Sequence, residues 1–262
     1  MTIQRLLRIG LNVGDIDMAQ AFYTEALGFE AVAEGVSATL ADILGVVRVR
    51  TRTLQLGAQV VELAACDPPG APYPAESTSA DLWFQHFAIV VPDIGKAYGR
   101  LRSFGHTPIT RDGPQQLPAA SGGAITYKFR DPEGHPLELI HFPKRALDAP
   151  GINHSAISVA DVARSVAFYT GLGLSVGSRQ TNTGPEQDRL DGLDDVSVAV
   201  VALYPARQAE PHVELLGYSN PPGRFAITAA TDIAATRLVV ASDSALGLLS
   251  DPDGHRLLLV SA

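Results

Sequence analysis

His86-Phe87-Ala88-Ile89-Val90-Val91-Pro92-Asp93 is a short apolar run that opens on a histidine and reaches an aspartate seven positions later. The same design recurs as Arg8-Ile9-Gly10-Leu11-Asn12-Val13-Gly14-Asp15 and as His154-Ser155-Ala156-Ile157-Ser158-Val159-Ala160-Asp161. Each copy continues into a helix-like stretch that ends at a glycine and closes on Val61-Glu62-Leu63, Leu137-Glu138-Leu139 or Val213-Glu214-Leu215. A fourth, reduced copy ends the chain, where Asp251-Pro252-Asp253-Gly254-His255 repeats Asp131-Pro132-Glu133-Gly134-His135. Glu138 stands three residues after His135, whereas Leu258 stands three after His255, so the fourth copy lacks the acid. A repeated unit rarely buries its apolar face alone and packs on another, which places the expected functional site between units.

Each full unit reads as strand, helix and three strands. The opening runs are short, rich in β-branched residues and apolar on both faces, as in strands covered by a helix on one side and lining a cavity on the other. Asp15 or Asp17, Asp93 and Asp161 suit helix N-caps, because a carboxylate accepts from the free amides of the first turn. The helices are expected over 18–27, 94–104 and 162–172, with Gly28, Gly105 and Gly173 supplying left-handed stops. In the second unit Ile125, Tyr127 and Phe129 alternate with Thr126, Lys128 and Arg130, and the turn at 131–134 leads into the strand bearing Glu138. The expected fold is therefore α+β: tandem βαβββ units forming paired cup-like sheets, three full and one truncated. An N-terminal half, 1–142, holds units at about 4–66 and 82–142. A C-terminal half, 151–262, holds a full unit at about 152–218 and the truncated one at about 223–262. Stretches rich in Pro, Gly and Ser at 66–79, 143–151 and 217–223 mark the breaks.

The chain of 262 residues is 46% hydrophobic, enough for a substantial core. A net charge of −8 without any run of Lys or Arg argues against a nucleic-acid partner. Cys66 is the single cysteine, which excludes an internal disulfide and a cysteine-based zinc cage. The first eight residues lack the apolar core of a signal peptide, and no apolar stretch approaches the ~20 residues of a membrane span. A cytoplasmic enzyme without membrane contact, acting on a small molecule, is expected.

The repeat, the Phe22-Tyr23 and Phe168-Tyr169 pairs in helices that close at Leu-Gly-Phe or Leu-Gly-Leu, and the close Asp131-Pro132-Glu133-Gly134-His135-Pro136-Leu137-Glu138-Leu139 resemble the vicinal oxygen chelate superfamily. That group includes glyoxalase I, bleomycin and fosfomycin resistance proteins, methylmalonyl-CoA epimerase and extradiol dioxygenases. The resemblance covers nearly the whole chain and is weakest in the fourth unit. It implies metal ligands on the first and last strands of paired units, which are the positions of Arg8 and Glu62, His86 and Glu138, and His154 and Glu214; 233–240 offers no clear ligand.

Residue chemistry supports the same positions. A lone histidine on an apolar strand is usually a packed core residue, and a lone strand glutamate an ion-pair partner. Two His–Glu pairs at equivalent positions of two units are hard to explain by packing, and neutral imidazole with carboxylate suits Fe, Mn, Ni, Co or Zn. At the first unit Arg8 stands where a ligand would be, so an Arg8–Glu62 salt bridge, or anchoring of substrate by Arg8, is expected. Tyr127 is a further candidate substrate contact, with packing in the core as the alternative. His212, two before Glu214 and on its face, is expected as a supporting group or substitute ligand. His135 and His255 are expected to shape hairpins, His106 to be exposed, His141 to face away from Glu138, and Gly184-Pro185-Glu186-Gln187 to form a turn that could approach the cup.

If unit two pairs with three and one with four, a single cup holds His86, Glu138, His154 and Glu214, and all losses fall in the other. That pairing is expected. With two His and two Glu the resemblance implies glyoxalase- or epimerase-like chemistry. One divalent metal chelates adjacent substrate oxygens, and Glu138 or Glu214 moves the proton of an enolate-forming step. The alternatives are an iron-dependent extradiol-type dioxygenase and a non-catalytic sequestering protein of the bleomycin-resistance type.

Overall fold

The structure, a computed structural model, describes residues 2–243 and 246–261; Met1 and Ala262, the ends of the two expected halves, and 244–245 in the fourth unit lie outside the described residues. The first unit comprises β1 (Ile3–Asn12), α1 (Ile16–Glu25), β2 (Glu30–Val36), α2 (Ala38–Leu44), β3 (Arg48–Leu56) and β4 (Gln59–Asp67). The second comprises β5 (Gln85–Val90), α3 (Ile94–Leu101), the two-residue β6 (Thr107–Pro108) and β7 (Gln115–Gln116), β8 (Ile125–Arg130) and β9 (Pro136–His141). The third comprises β10 (Gly151–Ser158), α4 (Val162–Gly171), β11 (Ser175–Thr183), α5 (Pro185–Asp191), β12 (Ser197–Tyr204) and β13 (His212–Asn220). The fourth is reduced to β14 (Arg237–Ser242), β15 (Gly247–Ser250) and β16 (Arg256–Ser261).

The long helices start where their caps require. The carboxylates of Asp15, Asp93 and Asp161 accept from backbone amides of the first turns of α1, α3 and α4. Gly28 and Gly173 take left-handed conformations after α1 and α4, whereas Gly105 does not, because α3 stops at Leu101. Two short helices depart from the expected unit. α2 is capped by Ser37 and stopped by Gly45, and α5 starts at Pro185 and stops at Gly192. The expected break at 217–223 also begins late, since β13 runs on through Tyr218 to Asn220.

Two sheets form. One has the order β15-β16-β14-β1-β4-β3-β2 and joins units four and one. The other has the order β11-β12-β13-β10-β5-β9-β8-β6, with β7 on β8, and joins units three and two. β10 runs antiparallel to β5 and parallel to β13, and β5 runs parallel to β9, so the opening and closing strands of units two and three are central neighbours. Each half of the sequence thus contributes one unit to each sheet.

Alternation along the central strands divides two environments. Phe87 and Ile89 of β5, Leu137 and Leu139 of β9, and Val213 and Leu215 of β13 join Phe22, Tyr23, Leu101 and Tyr169 of the helices in one large apolar cluster shared by both sheets. Full burial of each such side chain contributes roughly 1.5–3 kcal/mol. The residues between them, His86, Glu138, His154 and Glu214, face the concave side.

The repeated Asp-Pro-X-Gly-His turns clasp the units. His135 Nδ1 lies 2.8 Å from Asp131 Oδ2 and its Nε2 2.9 Å from the carbonyl of Asn12, and Tyr23 donates to Asp131 at 3.1 Å. The fourth unit repeats this on the third, with Tyr169 donating to Asp251 at 3.1 Å and His255 Nε2 2.9 Å from the carbonyl of Ser158. The two histidines shape their hairpins as expected and, beyond that, tie unit two to unit one and unit four to unit three.

Candidate metal centre

The concave side of the β11–β8 sheet holds a cavity of about 420 Å³. Its floor is built from one imidazole and one carboxylate of each unit. His86 Nε2 lies 2.8 Å from Glu138 Oε2, and His154 Nε2 lies 3.6 Å from Glu138 Oε2 and 3.7 Å from Glu214 Oε2. The potential ligand atoms of His86, Glu138 and His154 all lie within 4.8 Å of one another, as do those of His154, His212 and Glu214. Donors each about 2.0–2.2 Å from one cation are about 3–4 Å apart, so the separations within each triad are those of donors that could share an ion, and His154 belongs to both.

The supporting bonds favour the ligating form of the side chains. His154 Nδ1 is 2.9 Å from Asn153 Oδ1; a proton donated there leaves Nε2 free toward the carboxylates. Glu138 accepts from the Thr126 hydroxyl and contacts His86, and its side chain is only 7% exposed. Glu214 lies 3.3 Å from His212, its one hydrogen-bond partner among the described residues, and 3.7 Å from His154, and its side chain is 21% exposed. His212 stacks on Tyr204 with centroids 4.5 Å apart, which fixes its ring.

Burial acts to raise both glutamate pKa values, but neighbouring imidazoles outweigh it. Hydrogen bonds to His154 and His86 hold Glu138 well below the ordinary carboxylate range, and His154 and His212 hold Glu214 at about 2. Burial lowers His86, keeping it neutral, whereas for His154 the two carboxylates outweigh burial and raise it. The result is two carboxylates and at least one neutral imidazole at neutral pH, a donor set suited to a divalent transition metal.

The remaining expected residues fall as follows. Tyr127 points away from the cup: it packs on Tyr98 of α3 with centroids 4.7 Å apart and belongs to the large core cluster, so it is corrected from substrate contact to core. β8 is buried on both faces, and Lys128, opposite Glu138 in the ladder, faces the cavity instead. His212 lies in the cup beside Glu214. Arg8 and Glu62 form an ion-pair contact of 3.2 Å on the other sheet. His106, expected exposed, is half-buried with Nε2 3.2 Å from the Tyr127 hydroxyl, and His141 turns away to the carbonyl of Val91.

The segment at 184–187 does reach the cup, as the start of α5. Its Gln187 and Asp191 meet Lys128: Lys128 Nζ is 2.6 Å from Asp191 Oδ1, and Gln187 donates to Asp191 Oδ2 at 2.7 Å. Burial lowers the Lys128 pKa but is outweighed by Asp191 and Glu138, so the ammonium is retained. Lys128, Asn182, Asp191 and Tyr218 were not anticipated from sequence. The 131–134 turn fixes Lys128 opposite Glu138 and could have revealed it.

No helix among the described residues is long and apolar enough to cross a membrane. The family described as Glyoxalase/Bleomycin resistance protein/Dioxygenase superfamily matches residues 5–139. Lactoylglutathione lyase GLX1 of Arabidopsis thaliana is 27% identical over 170 residues, covering 63% of this chain and 53% of that protein, so the match spans about half the relative's length. Glyoxalase I from Zea mays superposes with a TM-score of 0.63 at 20% identity, covering 98% of this chain and 92% of that one. A putative dioxygenase from Bacillus subtilis superposes with a TM-score of 0.62 at 14% identity, covering 99% and 86%. At such identities these likenesses show the fold, a pair of concave sheets built from βαβββ units. On the family match, the repeat architecture and the fold together, the chain belongs to the glyoxalase/bleomycin resistance protein/dioxygenase superfamily.

Proposed function

We propose that the cup between units two and three binds one divalent metal through His86, Glu138, His154 and Glu214 and carries out proton transfer next to a carbonyl, as in glyoxalases and epimerases. The convergence of one imidazole and one carboxylate from each of two units carries this reading. A divalent cation held there would bind two adjacent substrate oxygens and acidify the neighbouring carbon-bound proton. Glu138, locked by Thr126 and His86, serves as a fixed ligand. Glu214, ionised, more exposed than Glu138 and hydrogen-bonded to His212, removes the proton and returns it. Lys128 adds a positive charge beside Glu138, and the apolar walls formed by Ile140, Val198, Val200 and Leu216 keep bulk water from the reacting carbon.

The name of the Arabidopsis relative makes lactoylglutathione the first compound to test. Metal-loaded protein is expected to turn it over and to exchange the relevant carbon-bound proton with deuterated water. Glu214→Gln is expected to lose both while retaining most of its metal; an unchanged exchange rate in that variant would remove Glu214 as the base. A second reading has its own observation, since His86, His154 and Glu138 alone form a two-histidine, one-carboxylate group of the kind used by oxygen-activating iron. Oxygen consumption with a catechol by the iron-loaded protein separates the two.

A further inference from the structure

The other sheet repeats the metal-centre geometry with different chemistry. In the sheet of the candidate metal centre, His154 lies opposite Ala88, and Ala156 lies opposite both His86 and Glu214. In the β15–β2 sheet, Arg8 lies opposite Val239, and Gly10 lies opposite both Arg237 and Glu62. Val239 in turn faces Leu258 across the ladder, as Ala88 faces Glu138. The four positions of the metal centre are therefore occupied by Arg8, Arg237, Glu62 and Leu258. Both histidines have become arginines, one carboxylate survives, and the other has become an aliphatic side chain.

α2 covers this second cup, with Leu40 and Ala41 packed on Val49, Ala64, Val239 and Leu258. A cavity of about 120 Å³ remains, with Arg8, Thr39, Ile43, Glu62, Leu258 and Val260 among the residues lining it. Arg237 is fully buried, and its Nη1 donates to Asn12 Oδ1. Its Nε and Nη2, together with Arg8 Nε and Glu62 Oε1, find no hydrogen-bond partner among the described residues. The Arg8–Glu62 contact of 3.2 Å is thus an ion pair without a well-aligned hydrogen bond. Guanidinium stays protonated, so two positive charges meet one negative where Arg237 is fully buried, Glu62 is mostly buried and Arg8 is 30% exposed. Such an excess charge and such orphaned polar atoms are costly unless a counter-ion and a donor meet them.

We infer that this second cup binds a short aliphatic 2-hydroxy acid, a site independent of the proposed metal centre. The ligand's carboxylate meets Arg8 and neutralises the surplus charge, its hydroxyl donates to Glu62 Oε1, and its alkyl group lies on Ile43, Leu258 and Val260. The cavity has room for on the order of five heavy atoms, on the volume a water occupies in the liquid. A 2-amino acid would bring a compensating ammonium and leave the excess positive charge in place, which disfavours it.

The test is calorimetric titration of the full-length, metal-stripped protein, so that chelation at the other cup is silent, with glycolate and lactate. Propionate and alanine, matched in size to lactate, serve as comparison ligands. The hydroxy acids are expected to bind at one site per chain, with propionate and alanine at least about tenfold weaker. Arg8→Met and the cavity-filling Leu258→Phe are each expected to weaken binding at least about tenfold, with unchanged circular dichroism, while His154→Ala leaves it intact. Absence of binding, undiminished affinity in either Arg8→Met or Leu258→Phe, or loss in His154→Ala would overturn the site. Equal affinity for propionate or alanine would overturn the ligand class.

Discussion

His154 Nε2 lies 3.6 Å from Glu138 Oε2 although the two residues belong to different units. The contact exists because β10 and β5 are antiparallel neighbours while each unit's closing strand runs parallel beside its opening strand. Two copies of one motif are thereby turned toward each other about the middle of the sheet. A metal bound at their meeting point would bridge units two and three, and its loss should affect both.

Removing either imidazole should therefore weaken metal binding by a similar factor. His86→Ala and His154→Ala are each expected to lower affinity at least about tenfold, measured by competition with a chromogenic chelator. Glu62→Gln, in the other cup, should leave metal affinity unchanged.

Metal affinity should also depend on pH in a defined direction. The two carboxylates outweigh burial and raise the His154 pKa above its ordinary value, and only the neutral ring ligates. As pH falls through that raised value the proton displaces the metal, so affinity should drop on acidification with release of about one proton per metal bound near neutrality. Titration calorimetry in buffers of different ionisation enthalpy measures that proton count.

The clasp of unit two on unit one should make folding stability pH-dependent as well. Burial lowers the His135 pKa, but Asp131 and Glu133 outweigh it and raise it above the unfolded value of about 6.5. The charged form is therefore favoured in the folded state. Its contribution is complete below about 6.5 and is lost as pH rises through the folded value. His135→Ala should cost about 1–3 kcal/mol in urea unfolding at pH 6, by removing the cation beside Asp131 and leaving the buried Asn12 carbonyl without the imidazole, and less at higher pH.

Much of this was legible in the chain itself. Three aspartates at one spacing located the helices, and two His–Glu pairs at one spacing located the cup, because repetition removes the ambiguity of a single buried histidine. What stayed hidden has physical causes. β8 is buried on both faces, so the alternation of Tyr127 with Lys128 does not say which face meets the core. Arg237 was passed over because its equivalence to His86 follows from the pairing of β14 with β1, strands more than 220 positions apart in sequence. α2 and α5 are too short for a periodic pattern, although Pro185 at the first turn and the left-handed Gly45 and Gly192 at their ends mark them.

The Lys128–Asp191 pair tests how the cup wall is held. Both side chains are at most 5% exposed, so Lys128→Met should cost roughly 3–5 kcal/mol by leaving a buried carboxylate unpaired. The double variant Lys128→Met, Asp191→Leu should recover part of that loss; equal destabilisation by single and double variants would show that the pair does not act as a unit.

The central claim is that one metal sits between units two and three. Elemental analysis of freshly purified protein, alongside His154→Ala, measures this most directly. The account predicts about one divalent transition metal per chain in the unaltered protein, bound through nitrogen and oxygen, and a small fraction of that in the variant. A metal-free protein after purification and incubation with Fe, Mn, Ni, Co and Zn, or undiminished metal in His154→Ala, would contradict it.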